Sequence, residues 1–324
     1  MESRTLGNTG IQVSEVGLGT WPIGGTVFLG GMPYGYGEME PDLALEILLK
    51  ARDIGVNFFS TSDAFGIGRA ERFIGMAIRE KRDQAVVATS VGGVPDGYTG
   101  WEYDVSPAYF DLALQRSLKR LGTDYLDVYL LQTEFLPQDA MEGAETVANS
   151  FDKFQRRGII RTWGVSLENL QDAEKWVKSF GAQVLQFKMN FLAQSAVETL
   201  FPLARETGVA LIARSPFYYG LLTGRYHKRS KFPKDDWRRT LSPDELGGVT
   251  GRLKKFYPLV RKHSRNYMEA SLKYILSYPE VSSVVPGARS PDQLKANSHS
   301  VDNGYMPQSL RDIICKNYSD IIHN

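Results

Sequence analysis

Residues 286–297 carry the chemistry of an anion site. They read Pro286-Gly287-Ala288-Arg289-Ser290-Pro291-Asp292-Gln293-Leu294-Lys295-Ala296-Asn297. Ser290 before Pro291 marks a helix start, and Gln293 three residues on matches a capping box. A helix start offers free N–H groups and the positive end of its dipole to a phosphate. Arg289 adds a planar fork of donors that suits phosphate oxygens. Gly287 lets a ligand approach the backbone closely. A second set of residues can exchange protons. Asp63, Glu134 and Tyr103 follow strand-like runs, and Gln132 stands two residues before Glu134. General acid–base work needs such an ionisable group within hydrogen-bond reach of the reacting atom. Tyr34, Tyr36, Trp101, Glu102, Tyr218 and Tyr219 are further candidates. For the aromatic residues the plainer role is packing or a pocket wall, and for Glu134 a solvated loop carboxylate. His227, His263, His299 and His323 have no metal-ligand spacing, so no metal is expected.

The elements that must position these groups are short apolar runs alternating with amphipathic stretches. Strands are expected at residues 15–19, 56–59, 85–89, 126–131, 162–165, 183–187, 209–213 and 282–285. Residues 42–54 and 107–121 have helical spacing, and Ser166 is expected to cap the helix after the fifth strand. Eight strand–helix units point to a closed (β/α)8 barrel of the α/β class, a TIM barrel. An open doubly wound sheet is the rival arrangement. The turn at Asn8-Thr9-Gly10 predicts an N-terminal β-hairpin. Two long inserts, residues 20–40 and 218–264, follow strands, so in a barrel both lie on the C-terminal face, where such folds carry their active sites. The basic run in the second insert, with Trp237-Arg238-Arg239, reads as a solvated, mobile loop.

Composition narrows the classes. The 324 residues carry 38 Lys and Arg against 37 Asp and Glu, a net charge of +1 that favours neither nucleic acid nor an anionic membrane as partner. The one cysteine, Cys315, fits a reducing, cytoplasmic setting. No run is apolar enough for a membrane span, and the first residues lack the apolar core of a signal peptide. No linker interrupts the pattern, so one domain over residues 1–324 is expected.

Several segments resemble the aldo-keto reductase superfamily, in family order. They are residues 6–14 (LGNTGIQVS), 17–21 (GLGTW), 55–59 (GVNFF), 117–127 (SLKRLGTDYLD), 164–166 (GVS) and 285–290 (VPGARS). Residues 117–127 read as purely structural, a helix ending near Gly122 and then strand four. The resemblance implies a nicotinamide cofactor across the C-terminal face and a small-molecule substrate. It implies that Gly287, Ala288, Arg289, Gln293 and Asn297 hold the adenosine end, with Arg289 favouring the 2′-phosphate of NADP(H). It implies that the loop with Ser215, Phe217, Leu221, Gly224 and Arg225 wraps the pyrophosphate, that Arg214 packs on the nicotinamide, and that Ser166, Gln186 and Asn190 bind the carboxamide.

The resemblance also implies a departure. Family members reduce carbonyls with a tyrosine acid, a Lys–Asp pair that tunes it and a histidine that orients substrate. At the matching positions this chain has Phe65, Ser90, Ser60 and Gln132. A phenyl ring gives no proton, and serines near neutral pH tune none. Loss of the Asp and Lys together is coherent, since one left alone would be an uncompensated buried charge. The expectation is an enzyme of non-standard chemistry. It would transfer hydride to an imine or activated alkene, or carry out an elimination or isomerisation, on a small organic metabolite of a biosynthetic pathway. An inactive NADP(H)-binding regulatory or scaffold protein is the alternative.

Overall fold

The structure, a computed structural model, describes residues 1–96, 100–135 and 140–323. Eight parallel strands form one sheet: β1 (Leu18–Gly19), β2 (Phe58–Ser60), β3 (Val86–Val91), β4 (Leu126–Gln132), β5 (Ile160–Leu167), β6 (Val184–Lys188), β7 (Ala210–Arg214) and β8 (Val281–Val285). Each pairs with its sequence neighbours. The ends close on one another: Gly17 N–H donates to the Val284 carbonyl (2.9 Å) and Gly19 N–H to the Pro286 carbonyl (3.0 Å). The sheet is therefore the barrel and not the open alternative.

Two apolar layers follow from strand alternation, since successive side chains face opposite sides of a sheet. Inward residues Phe58, Val86, Ala88, Val128, Leu130, Val184, Ala210 and Ile212 fill the interior. Leu6, Ile11 and Val13, from the hairpin of Ser3–Thr5 and Gln12–Ser14, plug its lower end. Outward residues such as Leu131, Trp163, Phe187 and Leu211 pack under the surrounding helices, in a core that runs from Val16 to Ile314. Residues 117–127 take the structural part expected of them. The helix Pro107–Leu121 ends at Gly122, and Asp127 ties three strands together. Its carboxylate, 1 % exposed, accepts from Arg82 (2.8 Å), Arg161 (2.9 Å) and the Val87 N–H (3.0 Å).

The long loops all gather at the C-terminal rim. The first insert forms a helical turn, Trp21–Gly24, and a hairpin, Val27–Leu29 with Met32–Tyr34. Gly93–Asp96 and Gly100–Tyr103 make another hairpin after β3; of Trp101 only the backbone lies within the description. The second insert is partly helical, while its basic run at residues 228–234 forms no helix or strand. Trp237–Thr240 is a 3-10 turn and Pro243–Val260 a helix capped by Ser242 and Glu245. Arg238 pairs with the buried Asp236 (2.6 Å) and lies over the rings of Tyr36, Tyr226 and Phe232. Lys228, Lys231 and Lys234 are exposed. The two inserts join: Trp237 N–H donates to the Gly35 carbonyl (2.9 Å), and Thr26 Oγ1 to the Asp235 carbonyl (2.6 Å). Among the described residues no helix is long and apolar enough to cross a membrane, and no group of three His, Cys, Asp or Glu is placed to hold a metal ion.

Candidate active site

One cavity of about 420 Å³ runs across the rim beneath the joined inserts. Ser60, Phe65, Ser90 and Gln132 line it, together with Glu134. So do Ser166, Gln186, Arg214, Ser215, Phe217, Arg225, Gly287, Ala288, Arg289, Gln293 and Asn297. Groups as far apart in sequence as Ser60 and Asn297 thus face a common space. Strand ends place the inner ones: Ser60 and Gln132 are the last residues of β2 and β4, and Ser90, Ser166 and Gln186 stand within two residues of the ends of β3, β5 and β6.

The floor holds two short hydrogen-bond chains of uncharged side chains, the second ending on the Glu134 carboxylate. Ser166 Oγ donates to Gln186 Oε1 (3.0 Å), and Gln186 Nε2 donates to Ser60 Oγ (3.0 Å). Ser90 Oγ donates to Gln132 Oε1 (3.0 Å), as does Ser62 Oγ (3.3 Å), and Gln132 Nε2 donates to Glu134 Oε2 (3.2 Å). Ser166 is therefore not a helix cap. β5 continues through Leu167, which turns the Ser166 hydroxyl to Gln186, and Asn169 caps the following turn instead by accepting from Gln171 N–H (3.1 Å).

Trp21 is the hub of the aromatic wall. Phe65 stacks on it at 5.9 Å and 16°, Tyr34 and Tyr36 lie 5.1 and 4.9 Å away, and Tyr219 meets it edge-on. Burial pushes the phenols of Tyr34 and Tyr36 above their ordinary range, the nearby Glu134 adding to the effect on Tyr34. Both remain neutral donors. Arg214 pairs with Glu168 (2.8 Å), which also pairs with Lys188 (3.0 Å). Burial alone would raise the Glu168 carboxyl; Lys188 and Arg214 outweigh it and hold the carboxyl low. Ser215, Tyr218 and Tyr219 all hold positive φ (55°, 44° and 59°) without being glycine. Such strain persists only where surroundings enforce it, and it concentrates at ligand loops.

At the other end, Ser290 caps Pro291–Ser298 by accepting from Gln293 N–H (3.2 Å). The reciprocal arm differs from a capping box: Gln293 Oε1 accepts from Arg289 N–H (2.9 Å). This leaves the Gln293 amide donors for a ligand. Gly287 serves packing as much as ligand approach, since a Cβ there would stand 2.7 Å from Pro22 Cγ.

Other expected site residues lie off the cavity. Asn190 is fully buried; its Nδ2 donates to the Ser215 carbonyl (3.0 Å) and its Oδ1 accepts from Leu192 N–H (2.8 Å). Both ends are spent on holding the loop, so we read it as a positioning residue. Leu221 is buried in packing and Gly224 abuts Tyr267. Tyr103 is 41 % exposed on its hairpin. Asp63 turns behind the rim toward Glu71, whose carboxylate accepts from Thr89 (2.7 Å) and pairs with Arg120. Sequence reasoning missed Trp21 and Arg238 as site residues; the signal for Arg238 was the acidic pair Asp235-Asp236 directly before Trp237.

Burial, then the charge of Glu71, pushes the Asp63 carboxyl up to about 8. The native state therefore holds a proton there that the unfolded chain releases near pH 4. Stability from this group is complete below pH 4 and falls as pH rises through 8. Asp63→Asn is expected to melt with the unmodified chain at acid pH and above it at pH 8–9. Calorimetry across that range checks this, and parallel melting curves would refute it.

Comparison with known proteins now adds to the geometry. A family model described as the aldo/keto reductase family matches residues 15–313. An uncharacterised oxidoreductase of Bacillus subtilis, YqkF, is 31% identical over 300 residues, covering 92% of this chain and 90% of its own. The NADH-specific methylglyoxal reductase of Escherichia coli is 27% identical, covering 92% of each. In three dimensions the chain is similar to the holo form of aldo-keto reductase AKR11C1 from Bacillus halodurans. The TM-score is 0.76 at 28% identity, over 98% of this chain and 96% of that one.

Proposed function

The chain belongs to the aldo/keto reductase family and is an oxidoreductase of that kind, and from this premise we propose that it uses NADP(H) to reduce a group that needs no tyrosine acid. The observation that carries this reading is one cavity joining an arginine-lined end to a floor of Ser60, Phe65, Ser90 and Gln132, with no Tyr, Lys or His among those four. The donor set fits the cofactor. Arg225, Arg238 and Arg289 line the end where phosphates would lie, and the uncharged Ser166 and Gln186 line the end where a carboxamide would lie. Bound there, the cofactor supplies hydride.

The chain's own groups then decide what can accept it. Phe65 and Trp21 shield the reacting face from water and offer no proton. An iminium carbon takes hydride without a proton. An activated alkene takes hydride at one carbon and a proton at its neighbour. Glu134, held by Gln132 at the cavity edge, is the group we assign to that proton exchange. The same carboxylate would act as base if the reaction were an elimination or isomerisation. A small organic molecule suits an aromatic-walled cavity of this volume.

The test uses NADPH deuterated at the transferable position, offered with a cyclic imine, a conjugated enone and 4-nitrobenzaldehyde. Mass spectrometry is expected to find label in the amine or the saturated ketone and none in the alcohol. Label in the alcohol at a comparable rate would overturn the proposal. Binding of NADPH with label in no product would favour the regulatory or scaffold role.

A further inference from the structure

Where the two inserts meet, the Asp235 carboxylate is fixed close to Arg289, which lines the cavity. Glu38 N–H donates to Asp235 Oδ2 (3.1 Å), and Thr26 Oγ1 holds the Asp235 carbonyl (2.6 Å). Arg289 Nη2 donates to the Glu38 carbonyl (2.6 Å), so one peptide segment steadies both charged groups. Gly37 has φ +92°, and a Cβ on it would stand 3.3 Å from Asp235 Oδ2 and 3.6 Å from Arg289 Nη1. Carboxylate and guanidinium thus border one methyl-sized space. Among the described residues Asp235 makes no ion pair, whereas Asp236 is committed to Arg238 at 2.6 Å. Arg289 has donors left over, since one bond to Glu38 uses one of its five N–H groups.

This inference rests on the reading that the adenosine end of the cofactor lies at Arg289, Gln293 and Asn297. We propose that Asp235 sets how strongly the chain discriminates between NADP(H) and NAD(H). Arg289 draws a 2′-phosphate toward this corner, while Arg238 is spent on Asp236. Asp235 sets a negative charge against the same phosphate, which carries more than one negative charge near neutral pH. Its free oxygen is also an acceptor for the 2′-hydroxyl of an unphosphorylated ribose. One charge several ångströms from a partly screened phosphate changes affinity on the order of tenfold. The preference that Arg289 alone would give is therefore blunted by the strap that covers it.

The experiment measures dissociation constants of NADPH and NADH by quenching of tryptophan fluorescence, for the unmodified chain and for Asp235→Asn. Asn keeps an acceptor for Glu38 N–H, and a melting curve checks the fold; Asp235→Ser serves if Asp235→Asn fails to fold. NADPH is expected to bind on the order of tenfold more tightly to Asp235→Asn, with NADH unchanged or weaker. The gain should shrink at high salt. Arg289→Gln should do the reverse, losing NADPH more than NADH. Equal shifts for both cofactors, or none, would overturn the role given to Asp235. If the unmodified chain binds neither cofactor, the reading of the groove itself fails and this inference falls with it.

Discussion

The quadruple variant Ser60→Asp, Phe65→Tyr, Ser90→Lys, Gln132→His is expected to reduce 4-nitrobenzaldehyde about 10²–10⁴-fold faster than the unmodified chain. That is the range a positioned general acid supplies. The geometry favours the exchange because all four positions already line one cavity. Phe65→Tyr alone adds only a hydroxyl to a ring stacked on Trp21, and an untuned phenol is a weak acid near neutral pH, so a small gain is expected. Ser60→Asp alone would place a charge against the Gln186 amide with no cation nearby, and Ser90→Lys alone the opposite charge beside Gln132. Each single variant is expected to lose stability, and the pair to regain most of it. Rates with NADPH and melting temperatures of the singles, the pair and the quadruple check this pattern. A quadruple variant that folds, binds NADPH and still fails to reduce the aldehyde would show that these positions do not govern carbonyl chemistry here.

The largest stability effect is expected at Asp127→Ala. The carboxylate is buried and receives two guanidinium groups and a backbone N–H. Its removal leaves the Arg82 guanidinium without its counter-charge, although Thr123, Ala85 and Tyr125 still accept from it, and leaves the buried Val87 N–H without its acceptor. Breaking a buried pair this way costs about 3–5 kcal/mol. Urea unfolding is the measurement. Because Asp127 lies at the far end of the barrel from the cavity, cofactor affinity should be unaffected in the folded fraction. A loss under about 1 kcal/mol, the range of exposed pairs, would mean that water replaces the carboxylate at little cost.

Much of the scaffold was legible because barrel strands are short apolar runs at regular spacing, and each of the eight expected runs overlaps one of β1 to β8, although β1 keeps only Leu18–Gly19 of residues 15–19. The helix start at Ser290 was legible for a local reason, since Ser290, Pro291 and Gln293 act within one turn of helix. What escaped was chemistry that depends on distant partners. Ser166 reads as a cap in isolation, yet its pairing with Gln186 extends β5 past it. Gln293 reads as half of a capping box, yet its acceptor goes to Arg289. The helix Pro243–Val260 was hidden by Gly247, Gly248 and Gly251, although Ser242 and Glu245 carry the capping signal. The lid over the cavity depends on contacts between residues near 35 and residues near 237, and no local pattern announces them.

Glu134 and Gln132 reach the cavity as a hydrogen-bonded pair, while Asp63 and Tyr103 do not line it. A carboxylate at the rim and a neutral floor are the arrangement from which the proposed chemistry follows. The central claim is that the position of the usual proton donor now holds a ring unable to donate. It is tested most directly by the rate of NADPH oxidation with 4-nitrobenzaldehyde as a function of pH, in the unmodified chain with cofactor binding verified. The account predicts saturable NADPH binding and a rate at background across the range. A fast rate that falls with rising pH as a phenol-like acid ionises would contradict it.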